Sequence, residues 1–264
     1  MQMLPPTQTN PTGRLIPATL LLVATLLQAM PATAANHLMM FAAFDELLLQ
    51  NVRNGFVDYD GMAADPRFAE TIGYLATADA TVLDGADGGL AFYINAYNAL
   101  AIQGVLNGLS PSSWWGRQKF FKRQKFRVLG EKVSLATIEH ERIIVQGDAR
   151  IHFALVCASL SCPRLSSRAY QPEQINLQLH DAARRFINDP TRNRFDLDRR
   201  IAFVSMIFDW YSADFEKAAG SLQKYLARFV DNAETQEALR SGEFEIRYEE
   251  YDWSLNGRYS RADP

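Results

Sequence analysis

The sequence predicts an α+β fold: a helix-rich single domain with a small antiparallel sheet and a central buried helix. Three observations carry this expectation. Leu90–Leu106 (LAFYINAYNALAIQGVL) is apolar almost all round, the pattern of a helix enclosed on every side rather than one with a solvent face. Apolar stripes of helical period recur on both sides of it, whereas alternating segments are few and short. No repeat, low-complexity tract or Pro/Gly/Ser linker divides the 264 residues, and a hydrophobic share of 48% is ample for one core.

Residues 1–34 read as an export signal, which leaves 35–264 as the globular domain. Arg14 precedes a mostly apolar stretch from Leu15 to Leu27, and Ala32-Thr33-Ala34 follows as a small-residue cleavage site. The uninterrupted run Ala18–Leu27 is shorter than the ~20 apolar residues that span a bilayer, and Pro17 and Pro31 bracket it. A periplasmic or secreted protein is therefore expected, with no stable membrane insertion once the signal is removed.

Along the domain, Leu38–Leu49 predicts a first helix, 55–61 a short extended element between glycines, and Arg67–Thr77 a second helix. A polar connection leads to the central helix, which Gly108 and Pro111 end. Residues 126–133 alternate around Gly130-Glu131, the pattern of a hairpin with a type II′ turn. Ser134 is placed to cap a helix reaching Val145. Ile151–Val156 is a short apolar run between turn residues and is expected to be a buried strand. Pro172 opens a helix with Ile175, Leu179, Ala183 and Phe186 on one stripe, Ile201–Ile207 is a further strand, and Leu222–Val230 carries a helical stripe. Phe244, Ile246 and Tyr248 alternate with charged residues, as an edge strand does.

A net charge of −3 argues against nucleic acid or an anionic membrane as the main partner, because both reward a basic surface. The partner expected instead is a small molecule or a peptide. Arg117–Arg127 (RQKFFKRQKFR) departs locally from this balance, with six basic residues and three phenylalanines. It suits a solvated hairpin flank better than an anion site.

Both cysteines of the chain, Cys157 and Cys162, lie in Arg150–Pro163 (RIHFALVCASLSCP). A disulfide needs Cα atoms within about 7 Å, and five residues of strand span about 16 Å, so a bond forms only if Ala158–Ser161 turns sharply. Alternatively one sulfur is a nucleophile, which calls for a base and an orienting donor. His140, His152 and His180 are the available imidazoles on the mature domain's interior segments, and Glu139 adjoins His140. Within one straight strand His152 could not face Cys157, which favours His140 as base. Asn95 and Asn98 share a face of the most apolar helix, as a bonded core network or as the lining of a pocket. Metal-ligand spacings, Gly-rich phosphate loops and G-x-S-x-G elbows are absent from the sequence, so no metal or cofactor is expected. The aspartates and aromatics of Ser205–Phe215 suit a carbohydrate or cation cleft, or a core whose carboxylates cap a turn.

Four ordered blocks are similar to one family. They are Ala91–Ala99 (AFYINAYNA), Ser134-Leu135 with Ile138-Glu139-His140, Arg150–Pro163, and Ile207–Phe215 (IFDWYSADF), with Tyr251–Asn256 closing the match. The chain thereby resembles the domain of unknown function 547 family, found in exported bacterial proteins and in plant proteins. Tyr93 stands where that family commonly has tryptophan. The resemblance implies no reaction, but its blocks hold Asn95, Asn98, Glu139, His140, His152, Cys157 and Cys162. Two expectations follow. One is a thiol-dependent hydrolase or acyl-transfer enzyme using Cys157 with His140, with Asn95, His152 and Glu139 assisting. The other is a non-catalytic envelope module, binding or structural, with a buried polar core.

Overall fold

The computed structural model describes residues 32–83 and 85–261. Most of the expected export signal therefore lies outside the described residues. The molecule is built around the central helix, as its apolar surface requires. Helix α1 is Ala32–Asn51, α2 Tyr59–Ala64, α3 Pro66–Thr77 and α4 Gly85–Leu106. From Leu90 to Val105 of α4 every residue except Tyr93 and Gln103 is buried. A helix with no polar face must be covered all round. Phe44 and Leu47 of α1 and Phe68 and Leu75 of α3 join α4 in one core cluster.

A second cluster forms in the C-terminal half around Phe153, Phe186, Phe208, Phe215 and Tyr225. Its frame is α7 (Ile175–Ile187), α8 (Ile207–Trp210), α9 (Ser212–Ala219) and strand β6 (Ile201–Ser205). The predicted stripe on α7 is correct, since Ile175, Leu179, Ala183 and Phe186 are all buried.

The strands form three small sheets rather than one. β1 (Val52–Arg53), β2 (Phe56–Asp58) and β8 (Gly257–Arg258) make the first, and β3 (Phe126–Val128) with β4 (Glu131–Val133) the second. The third is β5 (Arg194–Asp196), β6 and β7 (Glu245–Glu249), with β7 at an edge as its alternation predicts. Pairing is antiparallel within β1–β2, β3–β4 and β5–β6, but β6–β7 and β2–β8 are parallel. Gly257 permits the last of these, because a Cβ there would sit 2.1 Å from the Val57 carbonyl oxygen.

Three local expectations are corrected. Ile151–Val156 is buried but is not a strand: Ala149–Phe153 is a 3₁₀ helix and the chain then runs irregularly. The reason lies in Asn98, which serves this segment as a strand neighbour would. Its Nδ2 donates to the Ala154 carbonyl at 2.9 Å, and the Val156 N–H donates to its Oδ1 at 2.9 Å. The hairpin turns on Leu129-Gly130, with φ of 48° and 80°, and pairs Val128 with Glu131. Positive φ at both central residues is the type I′ condition, not type II′.

The helix capped by Ser134 starts as predicted, with the Thr137 N–H donating to Ser134 Oγ at 3.1 Å. It stays α-helical only through α6 (Leu135–Ile138), and Glu139–Ile143 widens into a π-helical turn. Arg117–Arg127 does flank the β3–β4 hairpin, but most of it is helical rather than extended: α5 is Trp114–Arg117, and Gln118–Arg123 is a second π-helical turn. Such turns are rare and concentrate at functional sites.

Candidate active site

Both π-helical turns border one cleft of about 540 Å³, entered between the two core clusters. On its floor lies the loop carrying the cysteines. Ala158 takes a left-handed conformation, φ 60°, and the Cys162 N–H donates to the Ser159 carbonyl at 3.2 Å. These make the sharp turn that the spacing alone left open. Arg192 fastens the loop from behind, donating to the Leu160 carbonyl at 2.7 Å and to the Cys162 carbonyl at 2.8 Å. Asp189 holds Arg192 at 2.7 Å.

The turn places the Cys157 and Cys162 sulfurs 2.7 Å apart, both as free thiols. Cys162 is buried and Cys157 half-buried. Ser159 Oγ lies 3.0 Å and the Tyr251 hydroxyl 3.2 Å from Cys157 Sγ. Burial pushes the Cys157 thiol up, but hydrogen bonds from Cys162, Ser159 and Tyr251 outweigh it and hold the group below its ordinary value. Burial pushes Cys162 well up, reinforced by its neighbour. Tyr251 is also held well above the usual phenol range, first by burial and then by the Cys157 charge, and so remains a donor. The arrangement is a Cys157 thiol with three hydroxyl or thiol groups within hydrogen-bond distance of its sulfur.

The same cleft is lined by His152, which forms a histidine–carboxylate pair. His152 Nε2 is 2.8 Å from Asp214 Oδ2, and the imidazole is stacked on Tyr211 at 3.8 Å between centroids. Since an ionised carboxylate only accepts, Nε2 carries the proton and Nδ1 is the basic nitrogen. Burial lowers the His152 pKa against the opposing pull of Asp214, so the ring is neutral at pH 7. Buried Glu139 accepts from the Tyr97 hydroxyl at 3.2 Å and from the Tyr211 hydroxyl. Tyr211 thus ties the glutamate to the imidazole stack, and burial followed by the Glu139 charge keeps its proton firmly bound.

Five residues were singled out by sequence. Cys157, Glu139, His140 and His152 all border this cleft. His140 stands exposed at its rim, and among the described residues neither His140 nor His152 hydrogen-bonds a sulfur. Asn95 is elsewhere: its Nδ2 donates to the Tyr170 carbonyl at 2.8 Å, and the Tyr170 N–H donates back to Oδ1 at 2.9 Å. It is a clamp inside the core and does not line the cleft. Sequence reasoning missed Asp214, Tyr211 and Tyr251. The first two lie in the aspartate–aromatic stretch that drew attention, yet nothing in linear order pairs Asp214 with a histidine 62 positions away. Among the described residues no group of three or more His, Cys, Asp or Glu side chains is arranged to hold a metal ion.

Residues 84–187 match the family described as protein of unknown function, DUF547. That stretch is the DUF547-like part of the chain. The matched segment carries the central helix, Glu139, His140, His152 and both cysteines, whereas Tyr211, Asp214 and Tyr251 come from beyond it. The DUF547 segment therefore supplies the thiols and the imidazole, and the C-terminal part completes their hydrogen bonding. No curated protein and no solved structure matches the chain.

Proposed function

We propose that this protein is a thiol-dependent enzyme, a hydrolase or acyl transferase, with Cys157 as nucleophile and His152 as the proton carrier. One observation carries the reading: a thiol with three hydroxyl or thiol neighbours within 3.2 Å lines the same cleft as a histidine oriented by a carboxylate. Cys157 Sγ attacks an ester or amide carbonyl and forms a thioester as the C–O or C–N bond breaks. Its proton passes, directly or through one water, to His152 Nδ1 and on to the leaving group. Water or an acceptor then takes the acyl group and regenerates the thiol. His152 replaces His140 as the base because Asp214 and Tyr211 fix its tautomer and orientation, whereas His140 is exposed at the rim.

The test uses reduced, folded protein and p-nitrophenyl acetate. A burst of nitrophenolate stoichiometric with enzyme is expected, lost in Cys157→Ala and with slow turnover in His152→Ala. An identical time course for wild type and Cys157→Ala would sink the proposal. Iodoacetamide labelling of Cys157 should also have a midpoint below the ~8.5 of a free thiol; labelling only after denaturation counts against it.

The 2.7 Å separation of the sulfurs favours a second reading, in which the chain is a non-catalytic module stapled by a Cys157–Cys162 disulfide. Forming that bond removes two protons and two electrons to a disulfide oxidant of the kind met in export compartments. Intact mass of the non-reduced protein separates the readings, since a disulfide gains 2 Da on reduction. The proposed site of action is periplasmic or extracellular, resting on the signal-like N-terminus. Fractionation that finds the protein in the cytoplasm with residues 1–34 retained would refute it.

A further inference from the structure

The mouth of the cleft differs from its floor. Trp114 and Trp210 are 56% and 44% exposed, an unusual placement for the largest apolar side chains. Both border the cleft. Trp210 stacks on Trp253, with centroids 5.7 Å apart and planes at 25°, and Tyr251 packs against both at 4.8 and 4.5 Å. Together they present an aromatic wall whose Tyr251 hydroxyl lies 3.2 Å from Cys157 Sγ.

Beside that wall stand two cations. The Arg117 guanidinium carbon lies 4.5 Å from the centre of the Trp253 ring, a cation–π contact that fixes its plane. Lys122 is exposed on the wide turn Gln118–Arg123 and also borders the cleft. Among the described residues neither forms an ion pair with a carboxylate, although the chain as a whole is acidic. The acid that lines the cleft, Glu139, already accepts from two tyrosines, and Asp214, outside that lining, is engaged with His152. Among the residues lining the cleft the cations Arg117 and Lys122 outnumber the one carboxylate, Glu139.

We propose that this mouth binds an amphipathic carboxylate, its flat or acyl body on the Trp210–Trp253–Tyr251 wall and its carboxylate on Arg117 and Lys122. The arrangement couples two requirements that water satisfies poorly together: apolar area to cover and a planar anion to pair. It concerns non-covalent binding and stands apart from the chemistry assigned to Cys157.

The experiment uses the full chain as its Cys157→Ser variant, so that covalent reaction cannot mask affinity. Calorimetric titration compares 2-naphthoate with 2-naphthalenemethanol and 2-naphthylmethylammonium, which share one ring system. Naphthoate should bind about tenfold tighter than the alcohol, or about 1.4 kcal/mol, and the ammonium weakest. Lys122→Gln and Arg117→Gln should each erode the naphthoate advantage and leave the alcohol unchanged, while Trp210→Ala weakens both. Lys122 is exposed, so its variant remains informative if the Arg117 variant fails to fold. Equal affinity for all three probes, no binding of any, or a naphthoate advantage indifferent to both charge variants would overturn the proposal. A failed acyl-enzyme burst alongside the predicted probe order would overturn only the catalytic reading.

Discussion

Replacing Phe153 with alanine should remove a large share of the stability of this protein. The ring is 2% exposed and lies within the second core. It stacks on Phe186 and Phe215 at 5.0 and 5.7 Å, and meets Phe208 and Tyr225 at 5.7 and 6.4 Å. Phe→Ala in a core costs about 3–5 kcal/mol, counting lost transfer energy and the cavity. Four aromatic neighbours held in place by other contacts cannot collapse far into the gap, which puts the expected cost near 4 kcal/mol. Total stabilities are about 5–15 kcal/mol. With a urea slope of about 3 kcal/mol/M for a chain of this size, the midpoint should fall by about 1.3 M. Phe153→Leu should lose less than half as much, because most of the volume remains. The change reaches the site as well, since Phe153 adjoins His152 in the chain and Phe215 adjoins Asp214. Equilibrium urea unfolding followed by tryptophan fluorescence measures the effect. A midpoint within about 0.3 M of wild type, at unchanged slope, would show that the ring is not core.

Two further outcomes follow from the same packing. Burial lowers the His152 pKa, so between the unfolded value of about 6.5 and the lower folded value the unfolded chain binds more protons. Stability should be full above about pH 6.5 and decline as the pH falls below it; urea midpoints from pH 7.5 to 5 should show this, and less steeply in His152→Gln. A wild-type profile as flat as that of the variant would refute the assignment. Asn98→Ala strips both partners from the buried Ala154 carbonyl and Val156 N–H, at about 1–3 kcal/mol for each orphaned group. It should also blunt Cys157 labelling, whereas Asn95→Ala should cost stability without changing the labelling midpoint.

Apolar periodicity alone was enough for the helix-rich α+β fold, because burial of α4, α3 and α7 follows from which faces their own sequences make apolar. Less was legible where backbone partners come from afar. Ile151–Val156 has the composition of a strand, but the groups that satisfy its backbone belong to Asn98, and a side-chain amide leaves no trace in the segment it serves. Similarly, no local rule announces that Ser134–Val145 and Arg117–Arg127 widen into π-helical turns, since the energy that holds such turns comes from what they face.

The candidate site divides along the same line. Residue chemistry picked out Cys157, Glu139, His140 and His152 because thiols, carboxylates and imidazoles are few and functional groups must be drawn from them. Only the tertiary structure decided which of these meet. The left-handed turn at Ala158 brings Cys162 to Cys157. The packing of α9 against the 3₁₀ turn delivers Asp214 to His152, and the C-terminal segment delivers Tyr251 to the sulfur. Proton affinities and hydrogen bonds act over about 3 Å, while the sequence separations involved are tens of residues. Composition therefore names the candidates, and the fold alone chooses their partners.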